Sequence, residues 1–432
     1  MTQHGARPQG TGAGTRDELR LPTAADVDAA ADRIDGKVSR TPLHRSERLS
    51  EATGATVWLK REDLQPVRSY KGRGAANLIG QLDSEQIWSG VVCASAGNHA
   101  QGVAHACATL GVTARIYLPA NTPRQKRERV AALGGDWVEV VVGGQTYDEA
   151  AAAALADVER TGATLIPAFD HPHTIAGQGT IAREVVEDLP AAPDVLVVPV
   201  GGGGLLAGCL TWLSERHPDV RVVGVEPAGA ASMIAATWAG GPTTLPEIDR
   251  FVDGAAVARA GDWTYQVVAR HTPELVSVPE GAICTEMISL YQTEGIIAEP
   301  AGALAAAALD QLDLAPGQQV VVVVSGGNND LLRYGEVMER SLTHEGLKHY
   351  FLVDFPQEPG MLRQFLDEVL GPDDDIALFE YVKRNNRETG PALVGIELGS
   401  REDLTPLLER MGSSSMDVEP IPADSPLFRF IL

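Results

Sequence analysis

The chain has 432 residues, with 35 Lys and Arg against 58 Asp and Glu, a formal charge of −23. That excess repels phosphate backbones, and no dense basic block interleaved with aromatics overrides it, so nucleic acid is not an expected partner. Apolar content of 44% with 22% charged residues excludes global disorder, and the length suits about three structural units.

Residues 1–20 mix Gly, Thr, Arg and Gln without an apolar core, which predicts a disordered polar leader rather than a secretion signal. From residue 21 to 344 the pattern is that of one large body. Short apolar runs, VVCAS from Val91, ARIYLP from Ala114, WVEVVVG from Trp137 and TLIPAF from Thr164, alternate with segments rich in helix formers and closed by glycine. Strands apolar on both faces and alternating with helices predict a parallel sheet covered by helices, here over about 90–167. The pattern resumes with VLVVPV from Val195, VRVVGVEP from Val220 and VVVVVSGG from Val320, a second α/β unit. The stretch VLVVPVGGGGLLAGCL is broken by Pro199 and four glycines, too short for a span of about 20 apolar residues, so no membrane association is expected. Cys93, Cys107, Cys209 and Cys284 are far apart with no CxxC pair, which suggests neither a zinc site nor a disulfide framework and fits a reducing, cytoplasmic compartment.

Residues 345–432 change character. HYFLVDFP, a helix through PGMLRQFLDEVLG, IALFEYVKR, ALVGIELG, a helix through LTPLLERM, and MDVEPI give the order β-α-β-β-α-β, a ferredoxin-like α+β unit. SLTHEGLKH from Ser341 is the expected linker. This region holds 8 Lys and Arg against 17 Asp and Glu, a net −9, so acidity is densest here.

Four glycine-rich loops carry the chemistry. Gly201 to Gly204, with Leu205 beginning a helix, suit either a phosphate cradle or a tight strand-to-helix turn. In CASAGNHAQG, Ser95 and Asn98 stand at a helix start, as caps or as donors to a ligand, and His99 has no companion at metal-ligand spacing, so no metal is expected. In SYKGRG, Lys71 follows Ser69 and precedes Gly72, Arg73 and Gly74, where glycine permits close approach and a desolvated amine forms imines readily. SGGN presents Ser325 at a strand end, as a helix cap or a ligand contact.

Taken in order, SYKGRG, SAGNHAQG, AGQGT from Ala176, GGGGLLAG and SGGN resemble the fold-type II pyridoxal phosphate enzymes, with tryptophan synthase beta-like architecture. The branch most similar is biosynthetic threonine dehydratase, and FPQEPG, LRQFLDEVLG and FEYVKR look like its ACT-like regulatory domain. The resemblance implies that Lys71 forms the imine and removes the α-proton. It implies that Gly201, Gly202, Gly203, Gly204 and Leu205 hold the cofactor phosphate. Asn98 would contact the ring hydroxyl and Ser325 the pyridine nitrogen. Ser95, Ala96, Gly97, Asn98 and His99 would grip the substrate carboxylate. Glu299 in AEPAG is an accessory residue near the cofactor or a helix-start carboxylate. Related racemases carry a second serine where this chain has Ala96. Relatives that bind a divalent cation carry an acidic pair after the strand ending VEP, where this chain has Glu226 and Ser232.

The implied reaction is dehydration and deamination of L-threonine to 2-oxobutanoate and ammonia, with isoleucine as inhibitor, valine as possible activator, and a homotetramer as the family's assembly. A serine-preferring dehydratase is the alternative within the enzyme class. A non-catalytic amino-acid sensor is the alternative outside it, against which Lys71 argues, since a sensor needs no imine-forming lysine.

Overall fold

The computed structural model describes residues 20–381 and 388–422, together with Ser425 and Leu427. The leader expected over residues 1–20 therefore lies, except for Arg20, outside the described residues. The chain divides into two compact units, one of residues 1–278 and 290–329, the other of residues 279–289 and 330–432.

The first unit holds two sheets. Ten strands occur in chain order: β1 (Leu43–Ser46), β2 (Thr56–Arg61), β3 (Val91–Ala94), β4 (Ala114–Leu118), β5 (Val138–Val142), β6 (Thr164–Leu165), β7 (Val195–Pro199), β8 (Arg221–Pro227), β9 (Glu274–Val278) and β10 (Gln319–Val324). The larger sheet has the order β1-β2-β10-β7-β8-β9, parallel except for β1, and the smaller one the order β5-β4-β3-β6. All four strands of the smaller sheet run parallel. Every residue of β7 is buried and β10 is buried from Val320 to Val324, which is why both appear as unbroken apolar runs. β2 and β9 escape the sequence reading because their patterns are mixed. β2 buries Val57, Leu59 and also Lys60, whose amine meets Glu184 at 2.7 Å.

The AGQGT segment belongs to the Pro172–Asp188 helix, which runs through the middle of the unit. A Cβ at Gly177 would stand 2.8 Å from the Arg73 carbonyl oxygen, and one at Gly179 only 2.6 Å from the Gly208 carbonyl oxygen. Glycine here lets three helices pack backbone against backbone. The small sheet has its own core, in which Cys93 and Cys107 lie among Val103, Ile116 and Leu118. Burial raises both thiols, Cys107 to about 12, so they stay protonated and inert.

The second unit contains β11 (Lys348–Pro356), β12 (Asp375–Tyr381), β13 (Thr389–Glu397) and β14 (Asp417–Ile421). Helices Met361–Glu368 and Leu404–Ser413 fall between β11 and β12 and between β13 and β14. Strand order β12-β13-β11-β14, antiparallel throughout, is ferredoxin-like. Its core joins Phe351, Val353, Phe365, Val394, Leu407 and Met411. Of the segment expected as a linker from Ser341, the first four residues end the Tyr334–His344 helix, Glu345 and Gly346 turn, and Lys348 already begins β11. The Ser341 hydroxyl meets that of Thr285 at 2.9 Å, and Gly281 lies against the Arg340 carbonyl and the His344 side chain. Buried contacts of this kind hold a polar-looking segment in helix.

Candidate active site

Four strand ends bring the glycine loops together. After β2 the chain turns through Arg68, a non-glycine residue at φ 54°, whose carbonyl accepts from the Gly327 N–H at 2.9 Å. Ser69 pairs with Gly326, and the Tyr70 N–H donates to the Ser325 carbonyl at 3.1 Å, so the segment is stitched to the loop after β10. Lys71 then opens the Lys71–Ile79 helix. Its half-buried amine donates to the Ala168 carbonyl at 3.2 Å and lies 5.1 Å from the centre of the Tyr70 ring.

The loop after β3 supplies Ser95 to His99. The Ser95 hydroxyl accepts from the Gly97 N–H at 3.2 Å, so that N–H is engaged within the loop. Gly97 is the cap of the Asn98–Leu110 helix, which has no side-chain cap. Asn98 is therefore not a capping residue. Its amide donates to Glu299 Oε1 at 2.6 Å and accepts from the Asn328 amide at 2.7 Å. Ala96 lines the loop between Ser95 and Gly97, partly buried. His99 is buried, with Nε2 at 2.8 Å from the Ile166 carbonyl. Burial first, and the charge of Lys71 second, lower its pKa to about 4, so the ring is neutral.

Glu299 is only 4% exposed. Burial, reinforced by Asp253, pushes its carboxyl up to about 7, against the pull of its hydrogen bond to Asn98. Although it precedes the short Pro300–Ala303 helix, its side chain makes no cap hydrogen bond there. Ser325 is likewise no helix cap: its hydroxyl, buried at the end of β10, donates to the Ala301 carbonyl at 2.9 Å.

Gly201 to Gly204 follow β7. Gly203, at φ 92°, is the cap of the Gly204–Arg216 helix and, as a glycine, offers that helix start no side-chain cap of its own. Its leading N–H groups, Leu205 included, are thus turned toward whatever binds there. Side chains at Gly202 or Gly204 would strike the Phe169 ring or its Cβ, and one at Gly203 would strike Met233 and Thr264. The Thr264 hydroxyl donates to the Gly202 carbonyl at 2.6 Å.

These features fit pyridoxal phosphate. The uncapped glycine-led helix end suits its phosphate, and the Lys71 amine its aldehyde carbon. Ser69 Oγ, fully buried and without a hydrogen-bond partner two residues before Lys71, is an orphan that a polar ligand atom would satisfy. Glu226, at the end of β8, turns both carboxylate oxygens to the Met233 and Ile234 N–H groups, at 2.7 and 2.8 Å. Among the described residues no cluster of three metal-ligating side chains occurs.

Ala168, Phe169, Asp170, Thr264 and Asn328 are the site residues that sequence reasoning missed. The one available signal was PAFD, a polar step at the end of an apolar run, the position where α/β sheets bind ligands.

The chain matches two family models: "pyridoxal-phosphate dependent enzyme" over residues 34–326 and "C-terminal regulatory domain of threonine dehydratase" over residues 339–431. It is 63% identical to the biosynthetic L-threonine dehydratase IlvA of Mycobacterium tuberculosis, over 95% of this chain and 96% of that one. Among solved structures it is similar to the processed threonine deaminase isoform 2 of Solanum lycopersicum, with a TM-score of 0.69 at 37% identity, covering 76% of this chain and 98% of that one. Maize serine racemase is similar too, with a TM-score of 0.69 at 32% identity, covering 75% and 99%.

Proposed function

The chain belongs to the pyridoxal-phosphate dependent enzymes, in the biosynthetic threonine dehydratase branch, and on that premise we propose that it converts L-threonine to 2-oxobutanoate and ammonia. The observation that carries the reading is local: a lysine amine and an uncapped, glycine-led helix end meet across the single segment Ala168–Phe169.

Bound pyridoxal phosphate supplies an electron sink for the charge that develops at the substrate Cα. The protein does the rest. N–H groups of Gly201 to Gly204 and Leu205 would hold the phosphate at the positive end of the helix. The Asn98 amide, kept in place by Glu299 and Asn328, would meet the ring hydroxyl. Ser325 would stand beside the ring nitrogen with a neutral hydroxyl, which does not force its protonation as a carboxylate would. The loop Ser95 to His99 orients the substrate carboxylate and sets the Cα–H bond toward Lys71 Nζ, which takes the proton.

Ala96 offers no hydroxyl on the opposite face, so elimination is expected to prevail over racemisation. One methyl group distinguishes threonine from serine, worth about 1–3 kcal/mol in an apolar pocket, so some serine turnover is expected. The second unit is read as a sensor of isoleucine, which inhibits, with valine opposing it, in a cytoplasmic homotetramer. No described helix is long and apolar enough to cross a membrane.

The test is oxoacid release from threonine and from serine, each with and without isoleucine. Threonine is expected to be the better substrate and isoleucine to suppress it; faster release from serine would overturn the substrate assignment. Lys71→Ala is expected to abolish both turnover and the yellow absorbance of the lysine-bound cofactor. Survival of both would falsify the role of Lys71.

A further inference from the structure

We propose that Asp170 is a positioning residue that builds the phosphate cradle from a distance, through the Asp262–His271 helix. The inference rests on the pyridoxal phosphate reading and deepens it.

Asp170 spends both carboxylate oxygens on one helix start. Oδ2 accepts from the Asp262 N–H at 2.8 Å, and Oδ1 accepts from the Trp263 and Thr264 N–H groups at 2.8 and 3.2 Å. The residue before that helix is Gly261, where any side chain would collide with the carboxylate. Three orphan donors of the helix are thus satisfied by a side chain 92 residues earlier in the chain.

The anchored first turn then reaches the cradle. The Thr264 hydroxyl donates to the Gly202 carbonyl at 2.6 Å, and the Gly261 N–H points at the same oxygen from 3.3 Å. A trans peptide is planar, so fixing the Gly202 carbonyl fixes the N–H of Gly203 on its opposite side. Gly203 is the left-handed residue that opens the uncapped helix. Through this path Asp170 sets the direction of a donor in the cradle without touching it.

The neighbours of Asp170 tie the same segment to the other half of the site. Ala168 accepts from Lys71, and Phe169 packs on Gly202 and Gly204. Three consecutive residues therefore hold the lysine and the cradle in one register. A helix cap serving stability alone would not need its third helical residue to bond the glycine loop.

The experiment uses purified full-length protein stripped of cofactor and titrated with pyridoxal phosphate, read by absorbance of the lysine-bound form and by phosphorus NMR of the bound phosphate. Asp170→Ala and Thr264→Val are each expected to weaken cofactor binding about tenfold, as loss of a cap or of one buried hydrogen bond does, and to move the phosphorus resonance. Asp170→Asn, which keeps an acceptor, is expected to fall between them and the parent. Because the two residues act along one path, the double variant is expected to bind no more weakly than the worse single one. Multiplying losses in the double variant, or parental affinity and resonance in both singles, would overturn the proposal. Should Asp170→Ala fail to fold, Thr264→Val and Asp170→Asn, alone and combined, replace it in the same comparison. A parent protein that binds no pyridoxal phosphate would refute the underlying reading instead.

Discussion

Single residues here are decided by their burial and partners more than by their type. Glu226 would be an ordinary surface acid by composition, yet it is fully buried and caps the Ser232–Ala239 helix, whose Met233 methyl fills the space beside Gly203. Burial pushes its carboxyl up from 4.5 to about 7, while the two N–H bonds pull it down. A carboxyl raised in the folded state binds more protons there than when unfolded, so its contribution to stability falls as pH rises from about 4.5 to about 7 and is lowest above. Glu226→Gln removes that dependence. The difference in stability between variant and parent is expected to move in favour of Gln across this window, by about 1–3 kcal/mol in all. Denaturant midpoints measured between the acid and the alkaline side of the window check it; a difference that stays flat or moves toward the parent rules it out. Lys71, Asn98, Ser325 and Gly201 to Gly204 could be singled out in the sequence because each stands in a glycine-rich loop after an apolar run. Thr264 could not, and Asp170 only by its place in PAFD, because each acts on backbone far away in the chain.

At the scale of elements, the helix that presents Lys71 is fixed from beneath by buried charge. Arg73, two residues on and fully buried, makes paired hydrogen bonds to Glu62 at 2.7 and 2.8 Å and to Glu184 at 2.6 and 2.9 Å. Lys60, equally buried, shares Glu184 and donates to the Thr41 carbonyl at 2.6 Å. Burial disfavours the Arg73 charge, but attraction and hydrogen bonds to Glu62 and Glu184 outweigh it and hold the guanidinium above its ordinary pKa, so Arg73 stays charged. Arg73→Met leaves Glu62 buried and unpaired and is expected to cost about 3–5 kcal/mol in urea unfolding. Adding Glu62→Gln should recover part of that loss; no recovery would mean that the arginine acts by packing rather than charge. The sequence offered Arg73 only as a neighbour of Lys71. Likewise AGQGT was legible as a motif, but its use, close packing of three helices, depends on which helices meet.

The whole molecule adds a division that the pattern of strands alone did not supply. Residues 279–289 sit with residues 330–432, through Gly281 against Arg340 and His344 and Thr285 against Ser341. Where the chain is cut therefore matters. A chain ending after Gly346 keeps the Tyr334–His344 helix over residues 279–289 and is expected to retain threonine turnover while losing inhibition by isoleucine. One ending after Asn329 strips that cover and is expected to melt at lower temperature. Equal melting of the two would contradict the division, and undiminished inhibition of the longer one would remove the sensor role from the β11 to β14 sheet.

Local sequence determined the parts with short-range physics: unbroken valine runs made buried parallel strands, glycines marked the loops at their ends, and β-α-β-β-α-β followed from alternation in the last 88 residues. Those signals repeat within a few residues, so one chain suffices to see them. Tertiary structure alone decided β2 and β9, the helix that continues through Ser341 to His344, the buried Arg73 and Lys60 charges, and the span from Asp170 to Gly202. Each of these depends on a partner distant in the chain, and a side chain that is costly to bury becomes favourable only once that partner has arrived.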